Sequence, residues 1–202
     1  MIKPNARILD ATAANRMMWK TNDHPGIMFI DVEKELEYVP DKFMDCTKTD
    51  FPDEYFNMIL FDPPHNWGIP KNKRLFSIPS NKVAQELFGR NTCYYGLDKF
   101  NNKRQLVRFI YDAQEEFKRI LNPYGCLWVK WSEYRIMVEA IEPLFRDWSM
   151  MMKIRLHKTA VGKNDSWWIM YMKKSLDETK ERITVDKQTK RITADSKTKR
   201  NE

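Results

Sequence analysis

The sequence predicts an α/β chain built on a mostly parallel sheet, and three observations predict it. Four short apolar runs each close on an acid, at Asp10, Asp31, Asp45 and Asp62. From Leu106 to Leu121 apolar residues recur at three- and four-residue steps, the period of an amphipathic helix lying between two strands. The run Asn57 to Phe61 stops on Asp62-Pro63-Pro64, and two prolines cannot continue a sheet, so Asp62 is expected at the carboxyl end of its strand, facing outward. In an open α/β sheet that edge is where ligands bind.

At 202 residues the chain fits one domain with a full core. Its expected division is a body over 1–173, carrying an insertion over 66–102, and a basic tail over 174–202. Lys and Arg outnumber Asp and Glu, 35 to 28, and the net charge of +7 favours a polyanionic partner. Cys46, Cys93 and Cys126 lie far apart, and three histidines are available, so neither a metal site nor a disulfide framework is expected. Nothing at the start has the apolar core of a signal peptide, and no run of 18 apolar residues occurs. The expectation is a soluble cytoplasmic protein without a membrane partner.

The first strand is Arg7 to Asp10, followed by a turn of small residues, Ala11 to Asn15, and a helix-like Arg16 to Lys20. Strand, tight turn and helix form the opening unit of nucleotide-binding α/β folds, and equally a plain connection. With alanines where glycine is usual, Asn15 is the residue expected to turn left-handed. The second strand is Gly26 to Asp31. Asp31 falls 21 residues after Asp10, the spacing at which an acid meets the ribose hydroxyls of a nucleotide, or simply stands solvated at a strand end. Glu33 is the fallback for the same task. The third strand is Lys42 to Asp45, and Phe51 to Glu54 turns the chain into the fourth.

Asp62-Pro63-Pro64-His65 resembles the Asp-Pro-Pro-aromatic signature of S-adenosylmethionine-dependent methyltransferases that act on exocyclic amino groups, chiefly adenine N6 and cytosine N4. His65 stands where Tyr, Phe or Trp is usual, and Ala11 and Ala13 replace a glycine-rich turn. The resemblance implies a Rossmann-like class I methyltransferase fold, with a seven-stranded, mostly parallel sheet, an antiparallel last strand and helices on both faces. It further implies catalytic roles for Asp62, Pro63, Pro64 and His65. The carboxylate and the Pro63 carbonyl would accept the amine's hydrogens, and the ring would stack on the base. S-adenosylmethionine, leaving as S-adenosylhomocysteine, would be held by Asp10, Ala11, Thr12, Ala13, Asp31, Val32, Asp45, Cys46 and Asp62. Asp45 would face the adenine amine and Cys46 would present its amide to the ring.

From Asn66 to Asn102 periodicity disappears, apart from a possible short helix over Asn81 to Phe88. Basic residues interleave with rings there, as in a lid over a nucleic-acid strand or in a loop that covers the sheet edge with its own aromatics. Trp67, Lys71, Lys73 and Arg74 are the candidate contacts in this insertion. Helix Arg104 to Leu121 ends before Asn122-Pro-Tyr-Gly125, and Cys126 to Trp131 is the fifth strand. Lys130 lies near the active edge as a further nucleic-acid contact, while Trp131 is expected in the core. A helix over Tyr134 to Phe145 and strands over Met150 to His157 and Ser166 to Met172 complete the body. Lys158 and Lys163 in the connecting loop can touch phosphates. The tail repeats Arg182 to Lys190 as Arg191 to Lys199 with six identities, and its polar composition predicts solvation.

The function these readings imply is methyl transfer to a nucleobase amine, adenine N6 in DNA first, with RNA also open. A silent partner subunit of the same fold, or an enzyme acting on protein glutamine or a small molecule, are the alternatives. A homodimer or a partner subunit is a further possibility, raised by the chain's small size.

Overall fold

The computed structural model describes residues 3–16, 18–34, 36–67, 99–133, 135–156 and 165–174. Strands β1 (Ile8–Asp10), β2 (Ile27–Asp31), β3 (Lys42–Phe43) and β4 (Phe56–Phe61) precede the helix α1 (Lys103–Ile120). Strands β5 (Leu121–Ser132), β6 (Trp148–Leu156) and β7 (Ser166–Lys173) follow it. The seven strands form one sheet in the order β3-β2-β1-β4-β5-β7-β6. Pairing is parallel from β3 to β5 and antiparallel from β5 through β7 to β6. That order, with its reversed penultimate strand, is the class I methyltransferase fold.

α1 forms because its apolar residues share one face, and its ends are closed by side chains. Asn102 accepts the Gln105 amide at 3.0 Å, and Gln105 accepts the Asn101 amide at 2.7 Å. Leu106, Ile110, Ala113, Phe117 and Ile120 pack with Leu9, Met28, Ile59, Phe61, Leu127 and Val129 in one core. Each such large side chain contributes about 1.5–3 kcal/mol by leaving water. At its carboxyl end Arg119 bonds Asp53 and the carbonyls of Thr49 and Phe51, fixing the turn that feeds β4.

β2 is buried on both faces, with Met28 and Ile30 towards α1 and Ile27 and Phe29 packed with Ala13, Ile8 and Trp19. On this second face the described residues of the segment after β1 carry no α-helix. Arg16 and Met18 to Lys20 are irregular, against the helix expected there. Their side chains are claimed elsewhere. The Arg16 guanidinium lies 4.1 Å over the Phe29 ring and donates to the carbonyls of Asn22 and Val39, and the Trp19 indole donates to Asp10. Ala14 and Arg16, at φ 42° and 54°, take the left-handed conformations expected of Asn15.

Two further boundaries differ. Tyr134 to Phe145 is no continuous helix, because Pro143 supplies no amide and blocks the preceding turn. The described residues form two 3₁₀ turns instead, Val138–Ala140 and Glu142–Phe145. β5 begins at Leu121, so Asn122-Pro-Tyr-Gly lies inside the strand, where its pairing with β4 shifts register. β3 is shorter than expected and stops two residues before Asp45.

Candidate active site

The parallel strands deliver their acids to one edge, and the turns after them build a cleft there. Ala11, Thr12, Asp31, Val32, Asp45 and Cys46 line it on one side. Pro64, Met44, Lys99, Phe100 and Phe109 close the rest of an open cleft. Six of the nine residues expected to hold a nucleoside donor are therefore together.

The turn after β1 is stitched to both neighbouring strands without glycine. Ala11 donates to the Leu60 carbonyl at 2.9 Å and Ala13 to that of Ile30 at 3.0 Å. Asp31 accepts the amides of Ala14 at 2.9 Å and Glu33 at 2.8 Å, one on each oxygen. Asp45 accepts the amide and the hydroxyl of Thr47, both at 2.8 Å. Each carboxylate oxygen accepts more than one hydrogen, so both acids keep acceptor capacity towards the cleft.

Asp10, Ala13 and Asp62 stand apart from the lining. Asp10 is fully buried, bonded by the Trp19 indole at 2.7 Å and the Thr12 amide at 3.3 Å. Burial lifts its carboxyl to about 6, the two hydrogen bonds working against that rise and the charges of Asp62 and Asp31 adding to it. Ala13 packs under β2. Burial likewise pushes up the Cys46 thiol, which keeps it neutral.

Asp62 stands past the end of β4, its amide donating to Thr12 Oγ1 at 2.9 Å. Its carboxylate is flanked on both sides. Lys130 Nζ lies 2.7 Å from Oδ2, and His65 Nε2 lies 3.2 Å from Oδ1. Burial raises the Asp62 carboxyl, but His65 and Lys130 outweigh it and hold the group below the usual carboxylate range. Oδ1 nonetheless has no hydrogen-bond donor aligned on it, and neither has His65 Nδ1 a partner. Buried polar atoms are rarely left so.

The His65 ring, expected to stack on a base, meets Trp131 edge to face at 5.0 Å and turns its nitrogen to Asp62. Pro63 and Pro64 are buried. Trp67 packs on the core, with Arg135 5.1 Å over its ring and bonded to its carbonyl. Lys71, Lys73, Arg74, Lys158 and Lys163, the short helix over Asn81 to Phe88 and the tail repeat lie outside the described residues. Lys99 and Phe100 come to the cleft from the insertion's basic residues and rings, and Met44 and Phe109 join it without having been singled out from sequence. Phe109 sits in the helical apolar period and reads there as core.

No protein-family model matches this chain, and no curated protein matches it. Among solved structures it is similar to the N-methyltransferase NodS from Bradyrhizobium japonicum WM9, with TM-score 0.49 and 10% identity over 84% of this chain and 86% of that one. It is also similar to PH0226 protein from Pyrococcus horikoshii OT3, with TM-score 0.48 and 10% identity over 86% and 84% of the two chains. A TehB-like SAM-dependent methyltransferase from Corynebacterium glutamicum ATCC 13032 Kitasato aligns with TM-score 0.44 and 13% identity over 84% of this chain and 81% of that one.

Proposed function

We propose that the protein is an S-adenosylmethionine-dependent methyltransferase acting on an exocyclic amine of a nucleobase, adenine N6 in DNA first. The observation that carries this reading is the Asp62 carboxylate, held ionised by His65 and Lys130 past the end of β4 with Oδ1 lacking an aligned donor, while Thr12, which accepts its amide, and Pro64 line the neighbouring cleft. The residues present fit the donor. Asp31 suits ribose hydroxyls, Asp45 an adenine amine, and Val32, Met44 and Phe109 offer apolar surface to a flat ring. When bound, S-adenosylmethionine supplies an electrophilic methyl group on a sulfonium.

The chain's own part is to prepare the acceptor. A nucleobase amine shares its lone pair with the ring and is a poor nucleophile. Asp62 Oδ1 and the Pro63 carbonyl accept its two hydrogens, and a hydrogen bond to a charged group contributes about 1.5–3 kcal/mol. With both hydrogens held, the lone pair turns out of conjugation towards the cleft. The proline pair fixes the backbone that sets the two acceptors, so positioning supplies most of the rate. Net charge of +7 and the aspartate favour a nucleic-acid acceptor over a protein amide.

The test is transfer of labelled methyl groups by purified protein to separate pools of DNA, RNA and protein. Label is expected in DNA as N6-methyladenine. Asp62→Ala lowers transfer at least ~100-fold, while calorimetry shows donor binding within about threefold. Label in protein alone, or turnover retained in Asp62→Ala, overturns the reading. Absence of donor binding identifies a silent partner of the same fold.

A further inference from the structure

We infer that Lys130 reads the ring position beside the target amine, so that the acceptor must carry a hydrogen-bond acceptor next to that amine, as in the H₂N–C=N edge of adenine or cytosine. This deepens the function proposed above and rests on it. Val129 pairs with Phe61 across β4 and β5, so the next residues, Lys130 and Asp62, stand side by side at the sheet edge. Lys130 Nζ donates to Asp62 Oδ2 at 2.7 Å, and its side chain is 27% exposed. An ammonium carries three N–H donors and no acceptor. Among the described residues Asp62 is the acceptor it meets, which leaves donors for a ligand.

Asp62 offers the opposite character, an Oδ1 that has His65 Nε2 at 3.2 Å but no donor aligned on it. The two side chains together therefore present acceptor and donor in adjacent positions. An amine N–H placed on Asp62, with an unprotonated ring nitrogen beside it, satisfies both at once. A ring C–H in that position leaves the ammonium facing carbon, and sites built around a hydrogen bond reject such analogues strongly. Lys130 is thus a specificity-determining residue in addition to a partner of Asp62.

The experiment uses single-stranded oligodeoxynucleotides carrying one adenine, 1-deazaadenine or 7-deazaadenine, with the full chain and its Lys130→Met variant. For the wild type, kcat/KM is expected to fall about 10- to 100-fold for 1-deazaadenine and to stay within about threefold for 7-deazaadenine. Lys130→Met is expected to lower the rate on adenine about 10- to 100-fold more than the rate on 1-deazaadenine, any loss through Asp62 falling on both substrates alike. This cycle cancels the altered basicity of the analogue's amine. Equal losses on both substrates, or a larger loss for 7-deazaadenine, overturn the role of Lys130 while the methyltransferase reading stands. Lys130→Leu takes the place of Lys130→Met in the same cycle if the methionine variant fails to fold. Where the wild type methylates cytosine, 3-deazacytosine replaces 1-deazaadenine with the same expectation. A wild type inactive on both bases removes the nucleobase reading and this inference with it.

Discussion

The amide of Asp62 donates to Thr12 Oγ1 over 2.9 Å, joining two strand ends that lie 50 residues apart in the chain. Thr12 lines the cleft and is nearly fully buried, so the bond ties the cleft wall to the acid proposed to face the acceptor. Thr12→Val removes the acceptor and leaves a buried amide unmatched, at a cost of about 1–3 kcal/mol. We expect kcat to fall about tenfold or more while Thr12→Ser stays near wild type. Rates for the two variants check this, and a serine variant as slow as valine would place the effect in packing instead.

Asp10 gives a stability test with a defined sign. Its carboxyl lies at about 6 in the folded chain, above its ordinary 3.8. The folded state therefore holds this proton more tightly than the unfolded state. The stability so contributed is present below about pH 4 and is lost as pH rises through 6. Asp10→Asn, which cannot ionise, is expected to be more stable than wild type at pH 7.5 by about 1–3 kcal/mol and close to it at pH 4. Urea unfolding at the two pH values measures the difference.

For Asp62 the sign is reversed. Burial raises its carboxyl, but His65 and Lys130 hold it below the usual range, so its contribution is present above the unfolded value and lost as pH falls through the folded one. The acid limb of methyl transfer due to Asp62 is expected below the ordinary carboxylate range. Lys130→Met removes one of the two groups that hold the carboxylate low and moves that limb towards neutrality. pH–rate profiles of both proteins read the shift directly, and an unmoved limb would detach Lys130 from the ionisation of Asp62.

Gly125 is set by space. A Cβ there would lie 2.7 Å from Leu121 Cδ1 and 2.8 Å from the Asn57 carbonyl oxygen, where β4 and β5 change register. The carbonyl belongs to the sheet and cannot retreat as a side chain does. Gly125→Ala is expected to cost about 1–3 kcal/mol, seen as a lowered Tm.

What the chain revealed in advance follows from how local each cause is. The acids at Asp10, Asp31 and Asp62 close strands whose apolar runs are short and bounded by turn formers, and α1 carries its period over five turns with a side-chain cap at Asn102. These signals need no distant partner. The segment after β1 is different, because Trp19 is drawn to Asp10 and Arg16 to Phe29 and Val39, and these claims outweigh a weak helical preference. Pro143 was legible as a breaker within Tyr134 to Phe145, and the apolar spacing masked it. The orientation of His65 depends on Trp131, which packs from another strand, so four residues of motif could not show it.

Ala14 and Arg16 hold left-handed backbone at φ 42° and 54° with side chains that disfavour it. Each such residue costs about 1 kcal/mol or more, and the bonds from Asp31, Asn22 and Val39 offset that cost. A loop shaped in this way has little freedom left to surrender when a nucleoside arrives. The turn that carries Ala11 and Thr12 into the cleft wall is in effect set in advance, so association of the proposed donor there should lose less entropy than at a glycine-rich turn, and adaptability to bulkier guests is what the chain gives up in return.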